Sequence, residues 1–191
     1  MSYYEALLYL HILAATLWIG GGFLILLLVH RGLQTDDDVL LERLARNSAW
    51  LAQRLFIPSS LAVLVLGILL TIDGPWGFGD LWIVLGLAGY ALSFLTGVLF
   101  LEPEGKRIAA AIAEHGPKSA PARRHIARIN AVQRMEMVIL LLVVGAMALK
   151  PTSEDVLTLA VGAVIVVSTL AVGGRALARS ADPSPAAVAT D

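Results

Sequence analysis

Long apolar runs separated by short polar links dominate the pattern along the chain. The first covers about 6–29, the second 51–72 with Pro58 inside it, and the third 81–101 without a single charge. The fourth covers 132–149 and begins with Arg134 and Glu136; the fifth covers 156–172. An α-helix needs about 20 mostly apolar residues to cross the hydrocarbon core of a bilayer. The runs are continuous rather than alternating, which excludes the transmembrane β-barrel pattern. The pattern therefore predicts an all-α membrane protein, a five-helix transmembrane bundle of four core helices plus one, in a single domain over 1–179. Residues 180–191, rich in Ala, Pro and Ser, are expected to form a disordered tail.

The links carry structure of their own. Thr35 followed by Asp36, Asp37 and Asp38 reads as a helix start, with acid in the first turn where the helix dipole favours it. Val39, Leu40, Leu44 and Leu51 then recur at helical spacing, which predicts one helix over about 36–72, kinked at Pro58. A further helix is expected from Pro103 to Glu114, stopped by His115-Gly116-Pro117. Another begins near Pro121 and runs into the fourth span. The short link at 150–155 contains Pro151 and predicts a tight antiparallel pair of the last two helices.

Composition strengthens the membrane assignment. The 191 residues are 58% hydrophobic and only 15% charged, with a mean hydropathy of +0.78. Soluble domains carry about 25% charged residues. The absence of cysteine excludes disulfides, thiolate metal sites and a cysteine nucleophile. A net charge of −1 carries no nucleic-acid signature.

The positions of the charges matter more than their sum. Of the fourteen Lys and Arg residues, only Lys150 falls on the side of the N-terminus and of the 73–80 loop. By the positive-inside rule the N-terminus lies outside and the C-terminus in the cytoplasm. With no basic n-region or small-residue cleavage site, the first run is expected to be a retained span rather than a signal peptide. Arg123, Arg124 and Arg128 are expected to meet anionic lipid headgroups at the cytoplasmic face.

His11 is the one histidine within a span, and an intramembrane ionisable group suggests function by default. His11, Ala14, Ala15, Trp18, Gly22 and Ile25 share a helical face that combines an imidazole, an aromatic plane and small residues. That face suits a haem or metal ligand, a proton-relay group, or a histidine bonded within the packed bundle. Met147 in the fourth span is the candidate second axial ligand. Arg54, Arg134 and Glu136 lie near the cytoplasmic boundary and are expected to form an ion pair between helices, with a gate or anion site as the functional alternative. Gly89, Ser93 and Gly97 repeat at intervals of four, a spacing that lets helices approach closely. No G-x-S-x-G or H-E-x-x-H motif is present.

The segment 10–23, with His11 followed by Trp18 and Gly20, resembles the first helix of a family of uncharacterised bacterial integral membrane proteins. The likeness extends through Phe56-Ile57-Pro58 to the ending Met147-Ala148-Leu149-Lys150-Pro151. That family in turn resembles, more distantly, the copper-resistance D membrane domain and the HemJ-type protoporphyrinogen oxidases. The resemblance implies a helical bundle in the bacterial inner membrane and, through the HemJ-type relatives, a haem b near His11. The lysine those oxidases carry in their third helix has no counterpart in 81–101. The leading expectation is an integral membrane protein that binds haem or a similar ligand through His11, Met147, Trp18 and Gly22, with His11 as metal ligand. The alternatives are an accessory to metal or small-solute transport and a structural subunit of a homo-oligomer or larger membrane complex.

Overall fold

The computed structural model describes residues 2–181, with side chains through residue 178, so nearly all of the tail expected at 180–191 lies outside the described residues. Five helices follow one another: α1 (Tyr3–Thr35), α2 (Asp38–Asp73), α3 (Leu81–His115), α4 (Ala120–Leu149) and α5 (Val156–Ala181). Among the described residues there is no strand. All five are long and apolar enough to cross a membrane.

Capping fixes several of the ends. Ser2 and Glu5 form a reciprocal capping box at α1: Glu5 N donates to Ser2 Oγ at 3.2 Å, and Ser2 N donates to Glu5 Oε2 at 2.7 Å. At the other end Asp36 takes a left-handed conformation (φ 49°), and Asp37, not Thr35, caps α2 by accepting from Leu40 N. Thr35 instead closes α1, its hydroxyl donating to the Arg31 carbonyl. The first helix thus outlasts its apolar run by two turns. Ser119 caps α4, with Pro121 in the first turn, as its missing N–H permits.

The prolines do not break their helices. Residues 103–114, expected as a separate helix, are continuous with the third span. A five-residue π-helical turn, Ala52–Phe56, precedes Pro58 by two positions, and a second, Gly97–Leu101, precedes Pro103 in the same register. Proline lacks an N–H and its ring collides with the carbonyl four residues back. The wider turn removes the collision, as Ile57 N reaches Ala52 O and Glu102 N reaches Gly97 O. The kink expected at Pro58 is therefore absorbed as a bulge in a helix that runs on.

Continuity gives the molecule two halves. Helices α1 to α4 are roughly 45–54 Å long at 1.5 Å per residue, against a hydrocarbon core of about 30 Å. They overshoot together at one end. There α1, α2, α3 and α4 pack as a closed ring around Val29, Ile108 and Ile126, with Leu44 and Ile112 against them. In the apolar half α1 packs on α2 and α4, and α4 packs on α3 and α5, whereas α2 and α3 are not a packed pair. Most large apolar side chains of this half face outward, as lipid contact requires; α5 touches the bundle mainly through α4.

The polar half is tied by charge. The carboxylate of Glu104 on α3 is fully buried and meets three basic groups: Arg107 Nη1 at 2.8 Å, His125 Nδ1 at 2.7 Å and Arg128 Nη1 at 3.4 Å. His125 and Arg128 come from α4, so the carboxylate joins the two helices. At the tip, Arg123 donates to Asp36 at 2.6 Å and Lys118 lies 3.0 Å from Asp38, linking the α1–α2 turn to the α3–α4 turn. At the opposite end the ammonium of Lys150 sits 3.9 Å over the Trp76 ring and 5.3 Å from that of Trp82. The one basic side chain there is thus held against aromatic faces.

Burial works against ionisation of Glu104, but hydrogen bonds from His125 and Arg107 and the charge of Arg128 outweigh it, holding the carboxyl below its ordinary range. Asp36 is lowered as well, by its hydrogen bond from Arg123 and then by that charge. A carboxylate whose folded pKa is depressed contributes stability that is complete above the unfolded value, about 4.3 for glutamate, and is lost as pH falls through the folded value. The polar half should therefore loosen in acid below about pH 4. Glu104→Ala should destabilise by about 2 kcal/mol at neutral pH, because it removes the fully buried acceptor shared by the partly exposed Arg107, His125 and Arg128. Thermal unfolding in detergent at neutral and acid pH measures both effects, and the variant should show the smaller acid dependence.

Candidate functional site

Two ionisable groups sit inside the apolar half. Glu136 on α4 is the more constrained. Its Oε1 accepts a hydrogen bond from Ser93 Oγ on α3, and Ser93 is only 3% exposed. No basic side chain pairs with it among the described residues.

Small residues on α3 create this contact. A Cβ on Gly86 would collide with Met147 Cε, and one on Gly89 with Val143 Cγ2. The two helices approach closely along 86, 89 and 93, and the carboxylate of Glu136 meets α3 one turn beyond Gly89. Gly97, the last of the expected series, lies in the π turn and faces open space.

The ion pair expected among Arg54, Arg134 and Glu136 does not form. Arg134 and Glu136 are two residues apart on one helix and so point to different sides. Arg134 Nη2 lies 3.2 Å from His30 Nδ1 of α1, while Glu136 faces α3. Arg54 stands exposed in the π turn of α2. Helices α1 and α4 are nevertheless joined at this level, by the Arg134–His30 contact.

His11 lies in the half of α1 toward its N-terminus. Its ring packs on α2, where a Cβ added to Gly67 would lie 3.2 Å from Cε1 and 3.6 Å from Nδ1. Nδ1 is buried without a hydrogen-bond partner; the Val63 backbone faces the ring but completes no bond to that nitrogen. The other expected ligand residues diverge. Trp18 meets Tyr90 of α3 edge-on at 5.7 Å, and Tyr90 stacks on Phe94 at 6.2 Å. Gly22 faces Met137 of α4, and the methyl of Met147 is directed at Gly86 of α3.

His11, Trp18, Gly22 and Met147 thus serve separate helix interfaces. The four do not converge on one cavity, with Met147 turned to Gly86 and Trp18 to Tyr90, so as a set they do not fit a haem held between His11 and Met147. Groups of three or more metal-ligating side chains are likewise absent among the described residues.

Five membrane-crossing helices, continuous with a polar four-helix ring at one end, define a multi-pass integral membrane protein. The chain belongs to the family described as predicted integral membrane protein (DUF2269), which it matches over residues 5–151. The match spans α1 to α4 and stops before α5, in keeping with the peripheral packing of that helix. No curated protein and no solved structure matches the chain. The more distant likeness to copper-resistance D and HemJ-type proteins is not shown by these matches.

The α3–α4 seam should be intolerant of bulk. Gly89→Leu is expected to cost about 1–3 kcal/mol through overpacking, whereas Gly97→Leu, which meets nothing, should fall within about 0.5 kcal/mol of the parent. Detergent melting curves of the two variants distinguish these outcomes.

Proposed function

We propose that this is a transport-type membrane protein in which Glu136 takes up and releases a proton, or a small monovalent cation competing with it. The observation that carries this reading is a carboxylate within a membrane span whose one polar partner is a serine hydroxyl. An ionised carboxylate in apolar surroundings is costly unless it is paired. A hydroxyl supplies a hydrogen bond but no counter-charge, so a proton or cation completes the site. Intramembrane carboxylates that face the bundle interior mark ion and proton pathways. The Arg134–His30 contact, about half a turn nearer the polar half, stands on the side from which that end would be reached. The aromatic rings of Trp18 and Tyr90 lie on the side of Ser93 toward the level of His11.

Dicyclohexylcarbodiimide, which modifies carboxyls within membrane proteins, should label Glu136. Labelling should vary with pH, be competed by sodium or potassium ions, and vanish in Glu136→Gln. A wild-type protein that stays unlabelled across the pH range, or a label unaffected by the substitution, would sink the proposal.

The orientation belongs to the same reading. Thirteen of the fourteen Lys and Arg residues lie at the end with the helical overshoot or on that side of the chain, which supports placing the polar ring in the cytoplasm of a bacterial cell and the N-terminus outside. The chain has no cysteine, so single cysteines report without background. In intact cells a membrane-impermeant maleimide should label Ser153→Cys and spare Glu114→Cys. The reverse pattern contradicts the orientation.

A further inference from the structure

The basic side chains of the polar half divide into two groups. Arg46 pairs with Glu42, Lys106 with Glu102, Arg107 and Arg128 with Glu104, Lys118 with Asp38, and Arg123 with Asp36. Of Arg123, Arg124 and Arg128, expected from the sequence to meet lipid headgroups, Arg123 and Arg128 are thus occupied within the protein, whereas Arg124 is exposed and has no acidic partner among the described residues. Arg31, Arg43, Arg54 and Arg124 are exposed and have no acidic partner among the described residues, and two of them, Arg43 and Arg54, lie on α2.

These two arginines belong to one helical stripe. Arg43, Asn47, Trp50 and Arg54 follow at spacings of four, three and four, so they share a face. It is the face turned away from the bundle, since Leu41, Leu44, Ala45 and Ser48 of the same helix pack toward α1, α3 and α4. A shallow open groove runs along it, lined by Arg43, Leu44, Asn47, Trp50 and Leu51. Trp50 is 61% exposed and sits where the apolar run of α2 begins.

That level is the bilayer boundary, where tryptophan side chains concentrate. Arg43 lies about 10 Å beyond Trp50 along the helix axis, and Arg54 about 6 Å inside it. Long arginine side chains bend toward the headgroup layer from either direction. The groove therefore offers the Arg43 guanidinium and the Asn47 amide above the Trp50 indole and Leu51, with Leu44 beside Arg43 and Arg54 further along the same face. Asn47 Nδ2 already donates to the Arg43 carbonyl, which holds the amide in place on this face.

We propose that this face of α2 binds an anionic phospholipid of the surrounding leaflet. The phosphate is taken by Arg43 and Asn47, with Arg54 reaching up from below, while Trp50 lies at the glycerol level and the acyl chains follow Leu51. Charge complementarity and the apolar lower part of the groove together select a membrane phospholipid over a free anion. The inference stands apart from Glu136, which faces α3 from a different helix.

The test uses the full chain, delipidated in detergent and titrated with phosphatidylglycerol or phosphatidylcholine under native mass spectrometry. Wild type should retain phosphatidylglycerol in preference to phosphatidylcholine. Arg43→Gln should lower phosphatidylglycerol affinity about fivefold, in line with the value of one basic group at an anionic surface, and leave phosphatidylcholine unchanged. Arg46→Gln, on the same helix but already paired with Glu42, should behave as wild type. Helix content by circular dichroism confirms that each variant is folded. Equal retention of the two lipids by wild type overturns the proposal, as does an equal loss in Arg43→Gln and Arg46→Gln. Displacement of the bound lipid by millimolar inorganic phosphate would assign the site to a free anion and would overturn it as well.

Discussion

Every polar group held away from water must find a partner, and this chain meets that demand differently in its two halves. In the polar half the demand is met by charge. Glu104 is removed from solvent entirely, and three basic groups surround it. The closed ring of four helices is organised around this carboxylate and the apolar cluster of Val29, Ile108 and Ile126. In the apolar half the demand is met by helices that satisfy their own backbones and by very few polar side chains. Ser59, Ser60 and Thr71 return their hydroxyls to carbonyls of their own helix. Two side chains are exceptions: His11, whose Nδ1 is buried without a hydrogen-bond partner, and Glu136, a carboxylate bridging two helices through a neutral partner.

The two π turns reconcile these halves. Each stands where a helix leaves the apolar half for the polar ring, and each is followed by a proline that would otherwise break the helix. Because the helices run on, the position of the ring determines where the membrane segments begin. Above the turns, α2 and α3 diverge and small residues on α3 draw it onto α4 instead. The Glu136–Ser93 contact follows from that approach, since a side chain larger than glycine at residue 89 would meet Val143 and push the helices apart.

The spans were legible in the sequence because a bilayer imposes one length and one composition on every crossing helix. Their overshoot was only partly legible. The continuation of α1 to Thr35 is polar, and the Pro103 ring looked like a boundary when the π turn before it had left no compositional mark. Side-chain pairing was the least legible. Glu104 lies in a charged stretch, Glu102-Pro103-Glu104-Gly105-Lys106-Arg107, and nothing local separates it from Glu102, which is exposed and pairs with Lys106. What distinguishes it is the arrival of His125 and Arg128 from α4, twenty-odd residues away. Glu136 reads from the sequence as a charge near the cytoplasmic boundary, and depth alone suggests Arg134 and Arg54 as its partners. The rotation of each side chain about its helix decided otherwise. His11 and Met147 were likewise matched by depth, whereas the structure turns one to α2 and the other to α3.

The central claim is that Glu136 is the exchanging group of this bundle, and infrared difference spectroscopy addresses it most directly. With the protein in nanodiscs, stepping pH or exchanging sodium for a large inert cation should interconvert the acid and carboxylate bands of a single buried carboxyl. Those bands should disappear in Glu136→Gln and persist in Glu104→Gln. A difference spectrum that Glu136→Gln leaves intact would contradict the account.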